Sequence, residues 1–189
     1  MSADPILLTP VRITRRKNLE LSLNVLAALR HLMPNASLVV TGPARANNSA
    51  NTAYFKELKV LRTKRNLQSC AHLLAEYVPD GLTDSMLADF YRLADVLLLP
   101  SREEGFGNPI LEAGLGRLPV FCTELPPLRA LADGWATYFS PDENPDRIAA
   151  LIQARLEDDP VYQMRSHVRM EYTWGAIYSR LLAPLLESA

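Results

Sequence analysis

Two rhythms of apolar and polar residues alternate along this chain. Pro5 to Ile13 is a short apolar run of strand type. From Lys17 to Met33, Leu19, Leu23, Leu26, Leu29 and then Leu32 or Met33 recur at helical spacing and define one face. Pro34-Asn35 stops that helix, and Ser37 to Thr41 is a β-branched strand that ends at Gly42. A polar loop, Pro43 to Asn51, opens a helix that reaches about Leu61. Then follow strand Ala71 to Leu74, helix Asp84 to Ala94, strand Val96 to Leu99, a helix from near Asn108, and strand Pro119 to Cys122. Strand Ala136 to Phe139 leads into helix Pro145 to Leu156. Two further helices, after Pro160 and after Thr173, follow no strand and are expected to pack around one edge. Thr173 is a candidate cap, with Trp174, Ile177, Leu181 and Leu182 as an apolar stripe.

Strands separated by amphipathic helices require crossover connections, and so a mostly parallel sheet covered on both faces. The predicted fold is a doubly wound, Rossmann-like α/β domain of about six strands. No internal repeat or long linker divides residues 1–189, so one domain is expected.

Composition narrows the partners. The 20 basic and 21 acidic residues leave a net charge of -1, which argues against a nucleic-acid-binding face. No apolar run approaches the roughly 20 residues needed to span a bilayer, and the N-terminus does not read as a signal peptide. A cytoplasmic protein is expected, a reading compatible with peripheral membrane association of a complete enzyme. Asn35-Ala36-Ser37 and Asn47-Asn48-Ser49 fit the glycosylation sequon by chance on this reading. Cys70 and Cys122 are expected to be buried, reduced thiols.

In doubly wound sheets, ligands bind beyond the carboxyl ends of the strands. The buried run Val96 to Leu99 delivers Arg102-Glu103-Glu104-Gly105-Phe106-Gly107 into that region. Asn108 is a candidate cap for the next helix, with Pro109 suited to its first turn. Two glycines before a helix let backbone approach a ligand, and the free N–H groups of the first turn suit an anion such as a diphosphate. Glu112 lies one turn in, and each carboxylate of the Glu104 and Glu112 pair can accept hydrogen bonds from neighbouring sugar hydroxyls. A Gly-x-Gly pair alone is weak, and the third glycine of a dinucleotide fingerprint is absent, since position 110 is isoleucine.

The combined run Pro100-Ser101-x-x-Glu104-Gly105-Phe106-Gly107-x-Pro109-x-Leu111-Glu112-Ala113, followed by Leu118-Pro119-Val120, is more specific. It closely resembles the C-terminal domain of retaining GT-B glycosyltransferases, the large family-four group, whose E-x7-E element stands here as Glu104 to Glu112. The resemblance extends to Arg12 to Asn18, Val40 to Pro43, Tyr91 to Val96 and Thr173 to Tyr178.

This resemblance implies a nucleoside-diphosphate sugar as donor substrate, no cofactor and no metal. Arg12 and Lys17 would pair with the diphosphate and Glu104 would hold the transferred sugar. Backbone N–H groups of Phe106 and Gly107 would lie close to the sugar's anomeric end or phosphate, with Gly42, Gly105, Asn108 and Leu111 also at the donor site. Glu112 would take the ribose hydroxyls, and the Glu76-Tyr77-Val78-Pro79 loop would meet the base through backbone at Val78. Two plainer readings stand beside these: Arg12 to Lys17 as a solvated basic cluster, and Tyr77 and Val78 as ordinary packing.

Other chemistries fit less well. No two aspartates are separated by one residue, so the metal clamp of GT-A enzymes is missing. His31, His72 and His167 have no partner at ligand spacing, and His72 reads as a core or edge histidine. Paired glutamates also serve glycosidases, but the glycine loop and basic cluster suit a phosphosugar better. Ala130 stands where many relatives carry a glutamate. The chain starts almost on the first strand of the second GT-B domain, so an N-terminal acceptor-binding domain or subunit is the expected partner. An excised fragment, with little or no transfer activity alone, is the favoured reading. An epimerase of the same fold and a non-catalytic nucleotide-binding module are the alternatives.

Overall fold

The computed structural model describes residues 3–43 and 49–187. Six parallel strands form one sheet: β1 (Ile6–Thr9), β2 (Ser37–Val40), β3 (Ala71–Leu73), β4 (Val96–Leu99), β5 (Val120–Thr123) and β6 (Ala136–Phe139). Their order is β3-β2-β1-β4-β5-β6. Helices α1 (Leu19–Leu32), α2 (Ser49–Lys64), α3 (Asp84–Leu93), α4 (Asn108–Gly116), α5 (Pro126–Ala132) and α6 (Pro145–Glu157) make the crossovers or close the last strand. Contacts of α1 with α2 and α6, and of α4 with α3 and α5, form two helical layers. The doubly wound fold expected from the sequence is what forms.

Burial explains why the central strands lack alternation. Both faces of β2 and β4 are covered, and all four residues of each are buried. Leu19, Leu23, Leu26 and Leu29 of α1 are each at most 1% exposed, whereas Leu32 is 44% exposed and Met33 packs only partly on the core. They meet α6, which contributes the fully buried Ile148, Ala149, Ile152 and Leu156. Each such leucine or isoleucine contributes about 1.5–3 kcal/mol of transfer free energy.

Several boundaries differ from the sequence reading. The run from Pro5 to Ile13 is strand only over Ile6–Thr9. Pro10 lacks an N–H for the ladder, and the chain turns out of the sheet after it. The helix begins at Leu19 rather than Lys17, because Arg15–Lys17 form a separate 3-10 turn that closes at Asn18 in the left-handed region (φ 52°). Helix α5 was not anticipated. Its two prolines open the first turn, where a missing N–H is harmless. Cys122 lies within β5 and Cys70 just before β3, and both are buried free thiols. His72 is half-buried on β3, at the sheet edge.

The tail is a larger correction. Helix α7 (Pro160–Glu171) does not wrap an edge; it reaches the amino ends of the central strands. Arg169 donates to Asp4 Oδ1 at 3.0 Å and to both oxygens of Asp95 at 2.6 and 3.0 Å. Asp95 Oδ2 also accepts from the backbone N–H of Ile6 at 2.9 Å, and Arg165 donates to the Ala94 carbonyl at 3.1 Å. Two buried carboxylates require a cation, and α7 supplies it. The last turns, α8 (Trp174–Ile177), a π-helical turn (Tyr178–Leu182) and α9 (Ala183–Glu187), start at a Thr173 cap whose hydroxyl accepts from Ala176 N at 3.3 Å. Of the expected stripe, Trp174 is 84% exposed, Leu182 is 44% exposed and Ile177 is half-buried, so none of these three is core; the Leu181 side chain lies outside the described residues.

Candidate donor site

Strand order reverses between β1 and β4, so the chain leaves these neighbours in opposite directions and a crevice opens at their carboxyl ends. The loops after β1 and β4 meet there. Arg102 N donates to the Arg16 carbonyl at 2.8 Å, and Arg16 donates to the Glu103 carbonyl at 3.3 Å. From β5, Thr123 Oγ1 donates to the Ser101 carbonyl at 2.6 Å. Asn18 Nδ2 reaches the Pro141 carbonyl at 2.9 Å, so the loop after β6 is tied in as well.

At the centre, Lys17 Nζ donates to Glu104 Oε1. The two side chains are only 9% and 6% exposed. Ser101 Oγ donates to the same carboxylate oxygen at 2.7 Å. Lys17 and Glu104 are 87 residues apart in the chain, and the switch point brings them together. Arg12, by contrast, lies exposed on the rim with no hydrogen bond or ion pair to any described residue. Of the four cations from Arg12 to Lys17, Arg12, Arg15 and Arg16 are exposed, as a solvated cluster would be, and Lys17 alone is buried and paired.

Gly105 and Phe106 are exposed, and a Cβ at Gly105 would meet nothing within 4 Å. Gly107 is different. Its φ is 105°, and a Cβ there would lie 2.6 Å from Leu128 Cδ2. Gly107 is itself the N-cap of α4, and Asn108 is the first helical residue with its side chain exposed. The expected capping role of Asn108 is therefore overturned. Pro109 has no N–H and Ile110 N donates to the Gly107 carbonyl at 2.9 Å, so with no side-chain cap it is the N–H groups of Gly107 and Asn108 that have no partner among the described residues, at the positive end of the helix dipole. Leu111 is 46% exposed.

Glu112 lies on the second turn of α4 and is half-buried. Its Oε2 accepts from the Tyr91 hydroxyl on α3 at 2.5 Å. Burial first, and then Glu112 itself, raise the Tyr91 pKa, so the phenol remains a proton donor.

Gly42 is buried, and a Cβ there would fall 2.0 Å from the Val11 carbonyl oxygen. Its glycine is required by the close approach of two backbones beneath the crevice. In the loop after β3, Val78 N donates to the Leu74 carbonyl at 2.8 Å, and the Val78 carbonyl accepts from Gly81 N at 3.1 Å. Only that carbonyl keeps capacity for a further bond. Tyr77 is 73% exposed, so packing does not explain it. Arg62 of α2 grips Glu76 through two bonds of 2.6 and 2.9 Å and anchors this loop. Sequence reasoning missed the roles of Ser101, Tyr91 and Arg62. Ser101 lies inside the Pro100-to-Ala113 run and Tyr91 opens the Tyr91-to-Val96 segment of the resemblance, whereas Arg62 carries no local signal.

The sequence matches the family described as glycosyl transferases group 1 over residues 2–171. The chain belongs to that family. Relatives of this group 1 chain include the serotype-specific mannosyltransferase WbdA of Escherichia coli, 33% identical over 109 residues, covering 56% of the chain and 13% of that protein. A D-inositol 3-phosphate glycosyltransferase of Jonesia denitrificans is 27% identical over 181 residues, covering 91% of the chain and 40% of that protein. The chain thus spans well under half the length of these relatives. Among solved structures, the C-terminal domain of a glycosyl transferase group 1 protein from Francisella tularensis superposes with a TM-score of 0.68 at 17% identity, covering 95% of this chain and 87% of that one. A UDP-forming trehalose-phosphate synthase from Burkholderia vietnamiensis gives 0.68 at 13% identity, covering 98% and 45%. These likenesses establish the Rossmann-like fold of GT-B glycosyltransferases.

Proposed function

We propose that this chain is the donor-binding half of a retaining glycosyltransferase that takes a nucleoside-diphosphate sugar and transfers the sugar to an acceptor hydroxyl without a metal. The observation that carries this reading is the convergence of Lys17, Ser101, Glu104 and the start of α4 on one crevice. The diphosphate lies against the first turn of α4, with Lys17 and Arg12 as counter-charges. These groups stabilise the negative charge that grows on the leaving diphosphate, electrostatic assistance aimed at the transition state. Glu104, fixed by Ser101, holds hydroxyls of the transferred sugar, and Glu112 holds those of the ribose. The base lies against the loop after β3, where the Val78 carbonyl offers an acceptor.

No side chain among the described residues is assigned as a general base, and the acceptor is bound by a separate domain or subunit. The chain alone binds donor and transfers little or nothing. Calorimetric titration of the chain with UDP, GDP and ADP tests the reading, with Glu112→Ala as the control. Binding of at least one nucleotide, weakened in the variant, is expected. Failure of all three to bind would remove the donor-site assignment. Product analysis with the chain joined to its acceptor half then separates sugar transfer from epimerisation.

A further inference from the structure

We propose that Tyr91 is a positioning residue for Glu112 and thereby sets a preference for ribonucleotides over deoxyribonucleotides. This rests on the reading of Glu112 as the ribose ligand. The two glutamates of the Glu104-to-Glu112 element are held differently. Glu104 is neutralised by Lys17, whereas Glu112 has no cationic partner among the described residues. Its bond from Tyr91 engages Oε2 and comes from a neutral hydroxyl. That bond holds the carboxylate without cancelling its charge. Oε1 is left with no protein donor among the described residues, available to a ligand hydroxyl.

Tyr91 is suited to this task. It is 5% exposed, so its ring is fixed between α3 and the rest of the core. The phenol has one proton to give, and the upward shift of its pKa keeps that proton in place. Tyr91 and Glu112 both line a cleft of 340 Å³ between α3 and α4, together with Asp84, Leu87, Arg92 and Leu115, and Arg92 is engaged with Asp89 at 2.6 Å rather than with Glu112. A glutamate has several rotatable bonds, and an untethered one would sample many positions in such a cleft. Anchoring one oxygen removes that freedom before the ligand arrives, so the other oxygen reads a hydroxyl at a defined place. A deoxyribose lacks the hydroxyl and gains nothing from the anchoring.

The test compares UDP, GDP or ADP, whichever binds tightest, with its 2′-deoxy and 3′-deoxy forms. In the unaltered chain, the ribonucleotide is expected to bind about tenfold tighter than at least one deoxy form. Tyr91→Phe, which keeps the ring, should shrink that ratio about three- to tenfold and leave deoxynucleotide affinity within about twofold. Glu112→Ala should abolish the ratio, and Tyr91→Phe should add nothing in that background. A ratio unchanged by Tyr91→Phe, or equal weakening of both nucleotide classes, would overturn the positioning role and leave the ribose reading standing. A ratio that survives Glu112→Ala, or no binding by any nucleotide, would remove the ribose reading and this proposal with it. Circular dichroism checks the fold of each variant. Should Tyr91→Phe not fold, Glu112→Asp keeps the charge but withdraws it from Tyr91. An undiminished ratio there would also overturn the proposal.

Discussion

Removing the charge of Lys17 is expected to destabilise the fold as well as impair nucleotide binding. Lys17→Met keeps most of the aliphatic stem but leaves Glu104, 6% exposed, without its counter-ion. Breaking one side of a buried ion pair costs about 3–5 kcal/mol. Ser101 still donates to Glu104 at 2.7 Å, so the lower end of that range, about 3 kcal/mol, is the expected loss. For a chain of this size that corresponds to a fall in Tm of roughly 6–12 °C. Glu104→Gln should cost a similar amount, because it strands the Lys17 ammonium at 9% exposure. The double variant removes both charges and should recover more than half of the loss. Urea unfolding followed by circular dichroism measures all four proteins, with a constant m-value as the check on comparability. A Lys17→Met unfolding free energy within about 0.5 kcal/mol of the parent would show that the pair is effectively solvated. Strict additivity of the two single losses would show that the side chains do not interact.

Gly107→Ala places a Cβ 2.6 Å from Leu128 Cδ2 at φ 105°, and should cost about 1–3 kcal/mol and weaken nucleotide binding. Parental stability in denaturant would show that α4 starts equally well from another geometry. Arg169→Leu leaves Asp4 and Asp95 without their shared cation and should cost about 3 kcal/mol or more, read from the same unfolding curves. A neutral outcome would mean that Arg165 replaces it. Burial pushes the Cys122 thiol from its ordinary 9.0 up to about 12, against a lowering influence from Arg129. The unfolded chain therefore loses this proton at lower pH than the folded one. The stability linked to the thiol is complete below about pH 9 and declines as pH rises from there toward 12. Cys122→Ala should flatten that part of the stability profile, and an unchanged slope would contradict the burial argument.

Local residue order was enough to determine the alternation of strands and helices, and with it the doubly wound class. A continuous run such as Val96 to Leu99 can only be buried on both faces, and the leucines of α1 recur at the spacing of one helical face. The Glu104-to-Glu112 element was legible for the same reason: a glycine turn, a proline and two carboxylates within nine residues are one local structure. The tertiary structure decided what lies far apart in sequence. Strand order brought Lys17 to Glu104, and α3 brought Tyr91 to Glu112. It also carried α7 beneath β1 and β4, where a sequence reading expected an edge. Even the cap of α4 escaped, since Gly107 starts the helix at a positive φ, against Leu128 of α5 where a Cβ would not fit, and Asn108 is already the first helical residue. Periodicity reports which face of an element is buried, but not against what. Pair formation between distant side chains depends on the sheet order, and no short stretch of sequence encodes that.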